Sequence, residues 1–251
     1  MIWLNMDSST LVWIALLMGL AAALYSTVGH GGASAYLAIM ALFSVAPETM
    51  RPTALALNLV VAGLGVWRYG RAGQINWRLL AAFVVTAAPA AFVGGGISIP
   101  PEVYRPLVGV VLWAAAIRLF WQPVRLAGRA PSPPSLALAL PVGAALGLLA
   151  GLTGTGGGIF LSPLIILFGW EDARRTSGVA AGFIFLNSTA GLAGNVAAMR
   201  ALPADMPWLV AAVAAGALLG TWLGAARLPK PRLLQGLGLV LVIAGAKLIF
   251  A

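Results

Sequence analysis

Residues 151–160 read GLTGTGGGIF, with five glycines in ten positions. The residues on both sides are apolar, as in a membrane helix, yet each glycine in a helix interior costs roughly 1 kcal/mol relative to alanine. Two explanations compete. Small residues every four positions let transmembrane helices approach closely, and Gly143, Gly147 and Gly151 follow that spacing, as do Gly216, Gly220 and Gly224. Those two stripes are read as packing seams. The run Gly154-Thr155-Gly156-Gly157-Gly158 fits no such spacing, and adjacent glycines make a poor helix, so it is read as a helix break that serves a site.

Composition sets the medium around that break. Of 251 residues, 61% are hydrophobic and 8% charged, with a mean hydropathy of +0.98, far outside the soluble range. The chain is read as an integral membrane protein, and no polar stretch is long enough to hold a soluble domain. The longest polar connection, Gln122 to Ser135, contains four prolines and reads as a linker. A net charge of +9 would suggest nucleic acid in a soluble protein. Here the Lys and Arg residues lie in short loops between apolar segments, the pattern of topology signals and anionic-lipid contacts. With no cysteine, one histidine and six carboxylates, the chain lacks a ligand set for a metal site and a nucleophile and base for an enzyme. No cofactor and no nucleic-acid partner are expected, and no GxxxxGK[ST] run is present to bind ATP. The first segment lacks the basic leader and cleavage site of a secretory signal and is read as a retained helix.

Loops and breakers divide the chain into ten apolar segments, roughly 9–28, 33–45, 52–69, 77–97, 104–120, 136–153, 158–170, 176–199, 207–226 and 233–250. The second and seventh are short, and each follows a glycine cluster. Gly29-His30-Gly31-Gly32 overlays Gly154-Thr155-Gly156-Gly157 at an offset of 125, Arg51-Pro52-Thr53 overlays Arg174-Arg175-Thr176 at 123, and Gly109-Val110-Val111 overlays Gly238-Leu239-Val240 at 129. Three matches in the same order indicate a duplicated unit. Its orientation follows from the loop charges. Arg68, Arg71 and Arg78 follow segment three, whereas the corresponding loop after segment eight holds only Arg200 with Asp205. The next loop holds Glu102 and Arg105 in the first half but Arg227, Lys230 and Arg232 in the second. Basic loops taken as cytoplasmic place 11 of the 15 Lys and Arg residues inside and both termini outside.

The expected fold is therefore an all-α polytopic membrane protein. It has two inverted-topology repeats of about five helical segments, 1–121 and 136–251, joined by a cytoplasmic linker over 122–135. The first pair of each repeat is broken or re-entrant at its Gly-rich motif. Inverted repeats with discontinuous helices mark secondary transporters, whose sites lie near the bilayer midplane. A break exposes amide N–H groups and the positive end of the helix dipole, which hold an anion without a charged side chain. Charges inside the predicted segments are confined to segment ends, as with Arg118 and Lys247, from which they snorkel. With no intramembrane carboxylate for a cation, an anion is the natural cargo.

GHGGASAYLAIMAL followed by RPTALALN, and GLTGTGGGIFLSPLIIL followed by Arg175-Thr176-Ser177 and Asn187-Ser188, resemble the TauE/SafE family of membrane permeases, also called the sulfite exporter family, over about residues 12–250. The resemblance implies transport of small sulfur-containing anions, sulfite or organosulfonates, across the inner membrane. A passive anion channel, or a permease for another small anion such as a carboxylate, is the alternative. The partners implied are the anion and membrane lipids, and assembly as a homo-oligomer is left open.

Substrate contacts are expected from Gly29, His30, Gly31 and Gly32 at the first break and from Gly154, Thr155, Gly156, Gly157 and Gly158 at the second. His30, the one imidazole, either donates to the anion and relays a proton or is a satisfied polar residue facing a carbonyl. Asn58 and Asn187 lie inside apolar segments, where an unpaired amide costs several kcal/mol; each lines the site or bonds between helices. Thr53, Thr176, Ser177, Ser188 and Asn195 are secondary candidates, since hydroxyls in membrane helices often bond their own backbone. Arg51, Arg174 and Arg175 precede the third segment of each half. They read as gating pairs or interfacial anchors with Glu48, Glu171 and Asp172, or as funnels for an anion. Trp3, Trp77, Trp170 and Trp208 read as interface belt.

Overall fold

The structure, a computed structural model, describes residues 8–26, 30–120, 131–224 and 230–250. All regular structure among them is helical: α1 Ser8–Ser26, α2 Ala33–Leu42, α3 Pro47–Arg71, α4 Trp77–Gly96, α5 Pro101–Phe120, α6 Leu136–Thr153, α7 Gly158–Leu167, α8 Ala173–Gly194, α9 Met206–Gly224 and α10 Lys230–Phe250, with a 3₁₀ segment Val196–Ala201 after α8. Six of them, α1, α3, α4, α5, α6 and α8, are long and apolar enough to cross a membrane. The helices match the ten segments read from the sequence. The two boundaries that move furthest do so for local reasons. α3 starts at Pro47, which fits the first helical turn, and runs on through Pro52. α8 ends at Gly194 because the Asn195 side chain accepts the amide of Ala198 and starts the 3₁₀ segment.

Glycine determines which helices touch. Cβ atoms on Gly143, Gly147 and Gly151 would collide with the carbonyls of Phe83, Ala87 and Ala91, so α6 lies backbone to backbone along α4. Gly216 and Gly220 meet Gly19 and Ala23 in the same way and seat α9 on α1. In both pairs the contacts ascend together, so the helices are parallel. α3 packs antiparallel to α8, with Gly65 against Ala181 and Leu55 against Gly191, and α5 antiparallel to α10, with Gly109 against Gly245. The two seams read from the sequence are thus present, apart from Gly224, whose packing lies outside the described residues. Valine at Gly147 is expected to cost about 1–3 kcal/mol through overpacking, seen as a lower melting temperature, because the obstacle is backbone that cannot rotate away. A wild-type melting temperature would remove this seam from the stability argument.

Apolar side chains gather in two cores. One joins α1, α2, α9, α5 and α10 to the first half of α3, through Met18, Leu37, Leu57, Leu112, Val213 and Leu241. The other joins α4, α6, α7 and α8, through Phe83, Ala139, Leu161, Ile165 and Phe183. Three side chains depart from the sequence reading. Trp77 and Trp208 are exposed, as belt residues are, whereas Trp170 is buried, stacked on Phe168 and packed on Phe83; Trp3 lies outside the described residues. Lys247, half-buried, ends on protein acceptors: its Nζ donates to the Leu42 carbonyl at 2.7 Å and to Ser44 Oγ at 2.9 Å, capping the C-terminus of α2. Arg118 keeps a buried Nε without a partner.

Candidate functional site

The two glycine clusters do break helices, and each break starts a short one. Gly32 (φ 99°) caps α2 and Gly157 (φ 77°) caps α7, both in the left-handed region open to glycine. Neither cap supplies a side-chain hydrogen bond; the cap carbonyls accept the amides of Ala35 and Phe160, so what each cap lacks is a side-chain acceptor for the first amides of its helix. With ten residues each, α2 and α7 rise about 15 Å, half a hydrocarbon core. α2 leads into the start of α3 and α7 into the start of α8. Since α3 and α8 are antiparallel, the two half-helices run from a common level toward opposite faces.

At that level stands Asn58, near the middle of α3 and fully buried. A Cβ on Gly31 would lie 2.5 Å from its Oδ1, and one on Gly156 would lie 2.7 Å from its Nδ2. Gly31 and Gly156 are partners in the sequence repeat, and they flank one carboxamide. Asn58 Nδ2 donates to the Thr155 carbonyl at 3.4 Å and to Ser188 Oγ at 3.5 Å, while Oδ1 has no partner. Ile184 of α8 covers the same gap, its Cγ2 placed 3.0 Å from a Cβ on either Gly31 or Gly156, and its side chain also fills the space over Gly158.

The other candidates fall around this centre unevenly. Thr155 is buried and its hydroxyl pairs with that of Thr153 at 3.0 Å. Gly154 (φ 87°) ends α6 under Arg51. Asn187 is fully buried with neither amide atom paired; it lies one turn beyond Phe183, which packs on Gly157. His30 is half-buried, its amide donating to the Tyr25 carbonyl and its ring edge-on to the Tyr25 ring at 6.4 Å. Gly29 lies outside the described residues. Ser177 bonds its own helix at Ala173, whereas the hydroxyls of Thr53 and Thr176, equivalent in the repeat, are buried without a partner.

The carboxylates do not pair with the arginines as read from the sequence. Arg51 donates to the carbonyls of Gly95 and Ile97, at 2.7 and 3.0 Å, and so caps α4. Arg174 and Arg175 are exposed, their backbone amides bound by the Asp172 cap, and Glu171 is buried as the acceptor of Asn76 and of the Asp172 amide.

Sequence reasoning passed over the tyrosines. Tyr36 donates to the Gly31 carbonyl at 3.0 Å, Tyr104 to the Thr153 carbonyl at 3.0 Å, and the Tyr25 and Ser34 hydroxyls pair at 2.7 Å. The signal was available: in so apolar a chain each of four tyrosines brings a hydroxyl that must find a partner. Ile184 and Phe183 carried no such signal.

An all-helical, multi-pass membrane protein with two half-helices meeting inside it has the architecture of a polytopic transporter. Residues 14–248 match the family described as "Sulfite exporter TauE/SafE". The chain is 39% identical over 229 residues to "Probable membrane transporter protein y4hK" of Sinorhizobium fredii (strain NBRC 101917 / NGR234), covering 90% of this chain and 93% of that one. It is 26% identical over 261 residues to "Probable membrane transporter protein YjnA" of Bacillus subtilis (strain 168), covering 93% and 98%. The chain belongs to the TauE/SafE family of membrane transporters. No solved structure matches it at a significant level.

Proposed function

We propose that the chain, built of two inverted repeats, is a secondary transporter that carries a small sulfur-containing anion, sulfite or an organosulfonate, across the inner membrane by alternating access. One observation carries the reading: two half-helix N-termini without side-chain caps converge on Asn58, with Gly31 on one side of its carboxamide and Gly156 on the other. Each terminus offers backbone donors and the positive end of a dipole, and the unpaired Asn58 Oδ1 and Asn187 amide are buried polar groups that a ligand with its hydration water can satisfy. The sulfur chemistry rests on the family description.

The repeat boundaries, 1–121 and 136–251 about the 122–135 linker, are supported by reciprocal packing. Matching the first five helices to the last five turns the α1 and α9 pair into the α6 and α4 pair, and returns the α3 and α8 and the α5 and α10 pairs to themselves. Basic loops on the cytoplasmic side put both termini outside.

The test is a melting-temperature screen of purified protein with sulfite, sulfate, thiosulfate, taurine, sulfoacetate and carboxylates, followed by counterflow in proteoliposomes. Sulfur anions are expected to stabilise the protein and to show saturable, trans-stimulated exchange. Stabilisation by carboxylates alone would replace the cargo, and flux without saturation or trans-stimulation would make the protein a channel. Proton coupling through His30 is a separate expectation: exchange should vary with pH, and His30→Gln should flatten that profile. A pH profile unchanged in His30→Gln would remove the histidine from coupling.

A further inference from the structure

On the side of the α2–α3 and α4–α5 connections lies a cavity of about 370 Å³, within the range of about 300–1,000 Å³ common to small-molecule sites. Its wall includes Glu48, Arg51, Ser98, Tyr104 and Asn195. Its floor is made by two of these. Arg51 lies directly over Gly154, with its Cγ and its backbone carbonyl each 3.1 Å from where a Cβ would stand, and Tyr104 holds the Thr153 carbonyl. From there the path to the centre is short. Thr153 bonds Thr155 through their hydroxyls, and Thr155 accepts from Asn58. The cavity is therefore separated from the second helix break by one arginine, one tyrosine hydrogen bond and a single turn of backbone.

The electrostatics of the cavity are graded. Glu48 is exposed at the rim, in the first turn of α3, where the helix dipole favours a carboxylate. Arg51 is half-buried at the floor, where a charge is screened less. Its two hydrogen bonds go to neutral carbonyls, which leaves three of five guanidinium N–H groups for another acceptor. α5 opens onto the same cavity with Pro101 in its first turn, adding a second positive helix end.

We infer that this cavity is a receiving site for a small water-soluble anion, with Arg51 as its charged anchor and the Tyr104 to Thr153 hydrogen bond as the latch between it and the Asn58 centre. The inference rests on the transporter reading for its purpose but on thiol chemistry for its test. The chain has no cysteine, so Ser98→Cys, in the wall, and Thr155→Cys, beneath the latch, each carry the sole thiol. Both are placed in lipid nanodiscs, open to both faces, and treated with anionic ethylsulfonate and cationic trimethylammonium-ethyl methanethiosulfonates. Each rate is divided by that of free 2-mercaptoethanol.

The normalised anionic rate at Ser98→Cys should exceed the cationic rate by about 3-fold or more at low salt. Arg51→Gln should erase that ratio, and Arg51→Lys, which keeps the charge, should retain it. Thr155→Cys should react about 10-fold more slowly than Ser98→Cys, and Tyr104→Phe should raise its rate at least about 3-fold, the loss of one hydrogen bond. A ratio indifferent to Arg51→Gln would overturn the anchor, and a Thr155→Cys rate indifferent to Tyr104→Phe would overturn the latch. Monodisperse elution of each variant establishes that it is folded. None of these rates requires transport: absent counterflow with the labelling pattern intact would sink the transporter reading alone, and the reverse result would sink the receiving site alone.

Discussion

Gly156→Ala is expected to abolish counterflow and to lower the melting temperature, and no change at Asn58 is expected to restore either. Two independent penalties act at this position. The backbone sits at φ 73°, where an L-residue costs roughly 1–2 kcal/mol, and the new Cβ would stand 2.7 Å from Asn58 Nδ2 and 3.2 Å from Ser188 Oγ, adding an overpacking cost of about 1–3 kcal/mol. Gly31→Ala separates the two. Gly31 is not among the residues of positive φ, so its alanine meets only the Asn58 Oδ1 and Ile184 contacts. Combining it with Asn58→Ala should recover most of the lost melting temperature, a coupling of about 0.5–3 kcal/mol between residues in contact, while transport stays lost because the carboxamide is gone. Thermal melts of the four single and double variants decide the matter. Additive losses for Gly31→Ala and Asn58→Ala would show that the two breaks do not share this amide, and an active Gly156→Ala would remove the break from the transport path.

The sequence carried the breaks because glycine at positive φ and glycine in a seam have different spacings, and both spacings can be read in one dimension. It carried the segments because hydrophobic length is a property of contiguous residues. It could not carry the choice of Asn58 over Asn187 as the shared residue. Both are amides in apolar helices, and what separates them is rotation: Asn58 faces α2 and α7 at once, whereas Asn187 shares the face of Phe183. The pairing of Arg51 was misread for a similar reason. Glu48 is one helical turn away in sequence and looked like a partner, but the carbonyls at the end of α4 have no partner within their own helix, and their proximity to Arg51 depends on how α3 and α4 pack. Lys247 capping α2 is likewise a contact across 205 residues, beyond any local pattern.

The seams also restrict how the molecule can move. Backbone contact fixes α9 to α1 and α6 to α4, and each seam joins a helix of one half of the chain to a helix of the other. The apolar cores follow the seams and not the halves: α9 shares a core with α1 and α2, and α4 shares one with α6, α7 and α8. Rocking of residues 1–121 against 136–251 would shear both seams. Alternating access, as proposed, must then act between the two cores, along the α3 and α8 contact that holds Asn58 and Ser188. Disulfides test this in a chain free of native thiols. A Cβ on Gly19 would stand 3.7 Å from that of Ala212 across the α1 and α9 seam, and one on Gly65 would stand 3.1 Å from that of Ala181 across α3 and α8, the first within and the second just below the spacing of about 3.5–4.5 Å that a disulfide spans. Oxidised Gly19→Cys/Ala212→Cys should keep at least about half its counterflow, because packed seams move as one body, and oxidised Gly65→Cys/Ala181→Cys should lose at least about nine-tenths of it, because it crosses the boundary that must slide. Reduction should restore the second variant. Full activity of oxidised Gly65→Cys/Ala181→Cys would place the moving boundary elsewhere, and loss confined to the Gly19 and Ala212 pair would return it to the two halves of the chain.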